Sequence, residues 1–182
     1  MTETFVVIDA CSSLNLLGTG RAVDLLRAMN WQLLVLPEVR QEARQLRGPL
    51  DEEGQPTWMA ADWDSLEKAG LVLVQPLGHE CVDALVAAAA HLTDVDAATV
   101  ALAGTRGLSL LTDDAKVRKS FRSQYPHLEL RASLALIRQA TNHLGLPAEH
   151  VKDILQSLRW KARFAPPRHD PDRDWYLKHL SE

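Results

Sequence analysis

Residues 5–17 read FVVIDACSSLNLL, a β-branched run that stops at Asp9 and passes into a helix-forming stretch. A short apolar run bounded in this way is the signature of a buried strand. A similar unit returns at 108–119, LSLLTDDAKVRK, where Leu108–Leu111 feeds Thr112, Asp113 and Asp114. Working outward, Leu33–Leu36 and Leu71–Val74 read as further strands and His127–Leu130 as a short last one. Between them helices are expected over Arg21–Asn30, Glu38–Arg47 behind Pro37, Trp63–Ala69, His79–Leu92, Val95–Gly104 and from Asp114 to about Phe121. Ser12 and Ser13 read as helix N-caps, and 48–58 (GPLDEEGQPTW) as a loop. Two more helices, Ser133–His143 and Pro147–Phe164, precede a Pro- and Asp-rich end that reads as an ordered tail or a partner-binding arm. Strands alternating with helices predict a three-layer α/β/α fold with a mainly parallel central sheet.

The chain has 182 residues, 46% hydrophobic and 24% charged, which suits one well-buried core. Its division is expected at 1–145 for the α/β body, with 146–182 a C-terminal helix and tail packed on or extending from the same domain. Two cysteines, Cys11 and Cys81, form no CxxC and no zinc-ligand spacing. MTETFVVIDA lacks the basic start and long apolar run of a leader, and no apolar stretch approaches membrane-spanning length. A cytoplasmic chain is the expectation. Net charge is −4, unevenly spread: residues 1–115 hold 7 Lys+Arg against 17 Asp+Glu (net −10), residues 116–182 hold 13 against 7 (net +6). An acidic body beside a basic C-terminal third suits a metal centre next to a phosphate-binding surface.

The acids fall where strands end or helices begin. In an open parallel sheet, ligands bind beyond the carboxyl ends of the strands. Carboxylates gathered there repel one another unless a cation lies between them, and a hard divalent ion takes oxygen ligands. Asp9 ends the first strand, Glu42 lies in the second helix, Asp96 opens the helix after Thr93, and Asp113-Asp114 follow a strand directly. Neighbouring residues of an extended segment face opposite ways, so one of the last pair suffices. Asp114 is expected to face the site, with Asp113 capping or supporting it. Alone, each has a bland explanation: Asp9 as a cap, Glu42 as a solvated helix residue, Asp94 or Asp96 as a helix-start acid.

In this order VVIDACSSLNLL, LPEVRQEARQL, DVDAATVALA and LLTDDAKVRK resemble the four signature blocks of PIN-domain proteins, over roughly residues 4–140. The resemblance implies a PIN-like fold, one or two Mg²⁺ or Mn²⁺ ions, and hydrolysis of single-stranded RNA. It implies Asp9, Glu42, Asp96 and Asp114 as catalytic carboxylates, with Asp113 beside them at the metal and Ser12 or Ser13 as the hydroxyl residue next to Asp9. Thr112 belongs to the strand-end T-x-D. Asn15 departs from the pattern, standing where many relatives have an apolar residue. Some members are toxins, which implies an antitoxin or DNA-binding partner protein, and a homodimer is compatible with the family. A catalytically silent PIN-like binding module is the alternative.

Other acid-based readings fit less well. An aspartyl-nucleophile phosphatase wants Asp at position 11, which is Cys11, and a receiver domain wants a later strand-end lysine. Asp94-x-Asp96 opens a helix instead of ending a strand, as a nucleotidyl transferase would need. The basic residues Arg131, Arg138, Lys152, Arg159, Lys161 and Arg163 are expected to guide the nucleic-acid backbone, with Lys161 and Arg163 the pair singled out. Trp160, Phe164, Trp175 and Tyr176 offer rings for base stacking, though such residues more often pack.

Overall fold

The structure, a computed structural model, describes residues 4–181. Residues 1–3, part of the stretch read as lacking a leader, lie outside the described residues. Five parallel strands form the central sheet: β1 (Thr4–Ile8), β2 (Trp31–Val35), β5 (Val72–Val74), β6 (Ser109–Leu111) and β7 (Leu130–Arg131), in the order β5-β2-β1-β6-β7. A separate antiparallel hairpin, β3 (Gln45–Leu50) with β4 (Pro56–Ala60), stands beside it. The helices are α1 (Ala10–Gly18), α2 (Ala22–Met29), α3 (Pro37–Glu42), α4 (Trp63–Lys68), α5 (Val82–Ala89), α6 (Asp94–Arg106), α7 (Ala115–Gln124), α8 (Ser133–His143), α9 (Ala148–Lys161) and α10 (Arg173–Ser181). A single 3₁₀ turn, His79–Cys81, leads into α5. This is the three-layer α/β/α architecture that the alternation of strands and helices predicts.

β1 is central because Val6, Val7 and Ile8 are all apolar, so both of its faces can be covered. All three are buried. The chain builds β1, β2 and β5 in one direction, then returns to place β6 and β7 on the other side of β1. The order therefore reverses between β1 and β6, and a crevice forms at such a reversal. Parallel pairing sets Ile8 opposite Leu111, so Asp9 and Thr112 leave the sheet side by side.

The differences from the sequence reading have local causes. Ser12 and Ser13 are not caps: α1 begins directly after Asp9, whose side chain accepts from the Ser12 N–H. α3 ends at Glu42 instead of running to Arg47, and 45–60 is the hairpin, not a loop. The spacing of Val39, Ala43 and Leu46 suits a helix, but the alternating burial of Leu46 and Gly48 equally suits a strand. Pairing with Pro56–Ala60 decides it. The last strand lies at Leu130–Arg131, slightly beyond the expected segment.

α9 joins the body instead of extending from it. Val151, Ile154, Leu155 and Leu158 recur at three- and four-residue spacing and are buried, packing the helix on α1 and β3. Each contributes about 1.5–3 kcal/mol by leaving water. The tail is ordered: the buried Tyr176 of α10 meets Phe164 edge-on at 5.9 Å, and its hydroxyl donates to the Phe164 carbonyl at 3.3 Å. Arg138 pairs with the buried Asp172 just before α10. No helix among the described residues is long and apolar enough to cross a membrane.

Candidate metal centre

Asp9 is fixed from three sides. Its backbone N–H donates to the Leu111 carbonyl at 3.3 Å, continuing the β1–β6 pairing one residue past the strand. Its Oδ1 accepts from the Ser12 N–H at 2.7 Å, and its Oδ2 accepts from the Thr112 hydroxyl. With 2% of its surface exposed, Asp9 loses most of its hydration, and burial pushes its carboxyl up to about 6. The hydrogen bonds from Thr112 and Ser12 work against that rise, while the charge of Asp113 adds to it.

Asp113 is the inward member of the acidic pair. Its Oδ2 accepts from Asn15 Nδ2 at 2.8 Å and, at the weak limit, from Ser12 Oγ at 3.5 Å. Its own N–H donates to Ser12 Oγ at 3.1 Å, and its Oδ1 accepts from the Ser133 N–H at 3.0 Å. One carboxylate thus ties α1, β6 and the start of α8 together. Asp114 turns away and caps α7, accepting from the Lys116 and Val117 N–H groups at 2.7 and 2.9 Å. The roles expected from sequence are exchanged, because α7 begins at Ala115 and the residue before a helix supplies its cap.

Asp96 sits in the first turn of α6 in a reciprocal capping arrangement. Its N–H donates to Thr93 Oγ1 at 3.3 Å, and that hydroxyl donates to Asp96 Oδ2 at 2.8 Å. Electrostatics show which acids share a neighbourhood. The Cys11 thiol is pushed up to about 12, first by burial and then by the charges of Asp9, Asp113, Asp114 and Asp96. Those four carboxylates all act electrostatically on the N-terminal turn of α1. Glu42 is exposed at the end of α3, the helix that follows β2 and contacts α1.

The remaining expected residues divide. Ser12 and Thr112 hold the carboxylates, whereas Ser13 donates back along its own helix to the Asp9 carbonyl at 2.7 Å. Lys161 lies beside Gly20, past the far end of α1, and Ala162 packs at Gly18. The nine-residue helix α1 separates them from Asp9 by about 13 Å of rise. Arg163, next in the chain, takes a left-handed backbone with φ 57°. Trp160 packs under Arg47 and donates to the Gly48 carbonyl, so with Phe164 and Tyr176 it serves packing.

Sequence reading missed Asn15, Ser133 and the cationic face of α7. Asn15, which departs from the resembled pattern, is buried and holds Asp113 across 98 positions of sequence. Arg118 donates to the carbonyls of Thr112 and Arg131 at 2.7 and 3.0 Å and faces the charges of Asp113 and Asp9. The available signal was the run of Lys116, Arg118, Lys119 and Arg122 directly after the acidic pair.

The donor chemistry suits a hard cation. Asp9, Asp96, Asp113 and Asp114 make no ion pair with any Lys, Arg or His among the described residues. Ser133, whose N–H donates to Asp113, has a buried Oγ without a hydrogen-bond partner, an oxygen that a cation's hydration would satisfy. As the side chains stand, no three His, Cys, Asp or Glu among the described residues converge closely enough to hold an ion. The carboxylates are held instead by hydroxyls, an amide and backbone N–H groups. Comparison with protein-family models, with curated proteins and with solved structures finds no match to this chain.

Proposed function

We propose that this chain is a divalent-metal-dependent ribonuclease whose centre lies between the ends of β1 and β6. The observation that carries the reading is the pair Asp9 and Asp113, both held by Ser12 where strand order reverses and neither ion-paired with a Lys, Arg or His among the described residues. Asp9 and Asp113 are the principal ligands, Asp96 and Asp114 complete the acidic rim, and Mg²⁺ or Mn²⁺ fits the oxygen-only donor set. When bound, such an ion acidifies a water and offsets charge on the phosphate. The chain's own residues do the positioning. Thr112 and the Ser12 N–H orient Asp9, while Asn15, Ser12 and the Ser133 N–H orient Asp113; supporting bonds of this kind typically govern affinity for a metal.

RNA as substrate is supported by the PIN-domain resemblance of the four blocks, as is a toxin role with an antitoxin partner. In that case a partner segment would offer an Arg to the carboxylates. Free Cys11 and Cys81 accord with a reducing, cytoplasmic setting. One observation favours the second reading, a silent binding module: Asp9, Asp114 and Asp96 each already perform a capping task.

Labelled single-stranded RNA incubated with the native chain and Mg²⁺ or Mn²⁺ separates the two. Cleavage is expected, abolished by EDTA and reduced at least about a hundredfold in Asp96→Asn and Asp113→Asn. Equal cleavage by these variants would place the activity elsewhere. A folded native chain that cleaves nothing with either ion would leave the binding module standing.

A further inference from the structure

Beside the acidic centre lies a cleft of about 590 Å³ whose lining, Asp113 apart, the catalytic reading does not use. One wall is α7, through Arg118, Lys119 and Arg122; the other is the tail segment from Pro167 to Asp172; Asp113 also lines it. We propose that this cleft binds the phosphodiester backbone of a single-stranded nucleic acid next to the bond being cut. Arg118, Lys119 and Arg122 contact its phosphates and the tail forms the second wall. The proposal rests on the nuclease reading for its direction, since Asp113 lines the cleft.

Three observations carry it. Lys119 and Arg122 are exposed, yet no carboxylate among the described residues pairs with them. Carboxylates without cations thus adjoin cations without carboxylates, and a metal-bridged polyanion satisfies both at once. The positions 118, 119 and 122 bring the three cations to neighbouring parts of one helical surface, because residues three and four apart are neighbours. Their backbone is firm: Val117 and Phe121 anchor α7 in the core, and Arg118 is tied to two carbonyls at the floor.

The second wall is equally fixed. Tyr176 packs on Phe164, and Arg138 holds Asp172, so Pro167–Asp172 stands over α7 as part of the fold. That wall brings two carboxylates, Asp172, which is paired with Arg138, and Asp170, which has no cation paired with it among the described residues. Asp170 acts electrostatically on Arg118, and its Oδ1 accepts from the Asp172 N–H at 2.8 Å. A phosphate approaching Arg118 meets Asp170 as a like charge. Lys161 and Arg163, at the other end of α1, have no place in this channel.

The test is fluorescence anisotropy of labelled single-stranded RNA, and DNA of the same sequence, with the full chain in EDTA across a KCl series. The Lys119→Gln/Arg122→Gln variant is expected to bind at least about tenfold more weakly. Its slope of log affinity against log salt should be smaller by about 1.4, two phosphate contacts at roughly 0.7 each. Asp170→Asn, which keeps the oxygen that accepts from Asp172, is expected to bind more tightly, and Lys161→Gln to match the native slope. RNA and DNA should bind within a few-fold of each other, because phosphate contacts read neither base nor sugar. An unchanged slope in the double variant, weaker binding by Asp170→Asn, or no binding by the native chain at low salt overturns the proposal. Cleavage assays on the same proteins separate the two ideas. Cleavage with an unchanged slope removes the cleft and keeps the nuclease; a reduced slope without cleavage removes the nuclease and keeps the cleft.

Discussion

Asp9 carries a conflict between folding and function. Its carboxyl titrates near 6 instead of its ordinary 3.8 because burial disfavours the charged form. The folded chain therefore holds a proton that the unfolded chain releases between about pH 4 and 6. The sign follows: this contribution is complete below about pH 4 and is lost as pH rises through 6. In EDTA the native chain should lose up to about 3 kcal/mol between pH 4 and 7 relative to Asp9→Asn, which has no proton to lose. Chemical denaturation of both proteins at several pH values checks it, and parallel profiles would contradict it. At this scale the sequence was only half legible. An apolar run ending near an acid marks Asp9 and the 113–114 pair, but which of the pair turns inward depends on where α7 starts. Asn15 could not be read at all, because its partner is distant in the chain and adjacent only once β1 and β6 pair.

Helices and strands were legible where one periodicity had no competitor. α2, α6, α7 and α8 fall close to their expected positions, each with a continuous apolar face and a cap or punctuating Gly near one end. The stretch 37–60 was not, because the same apolar residues satisfy a helical and a strand period, and the hairpin partner settles the matter. Among the elements, α1 deserves the closest test, since its first turn holds Asp9 and Ser12 and its last turn receives α9. Gly18 permits that approach: a methyl there would lie 2.9 Å from the Ala162 Cβ. Gly18→Ala should therefore lower stability by about 1–3 kcal/mol through overpacking. Ala162→Gly in the same chain should restore much of the loss, giving a non-additive cycle. Thermal or urea unfolding of the two single variants and the double variant measures it; strict additivity would show that the two helices do not meet there.

On the scale of the whole molecule, the reversal of strand order places the acids, and charge segregation places the cations beside them. The uneven charge of the two parts of the chain was legible in composition, but its spatial meaning was not. The sequence directed attention to Lys161 and Arg163; the fold sends them to the far end of α1 and turns α7 toward the centre instead. The C-terminal segment, set apart in the sequence reading, completes one body: α9 covers α1, and Pro167–Asp172 walls the cleft. The central claim is that the carboxylates between β1 and β6 share a divalent cation, and calorimetric titration of Mn²⁺ into the full chain at pH 7 tests it most directly. One or two ions per chain are expected for the native protein, with binding lost in both Asp9→Asn and Asp113→Asn. A folded native chain that takes up no Mn²⁺, or variants that bind it as well as the native chain does, would contradict the account.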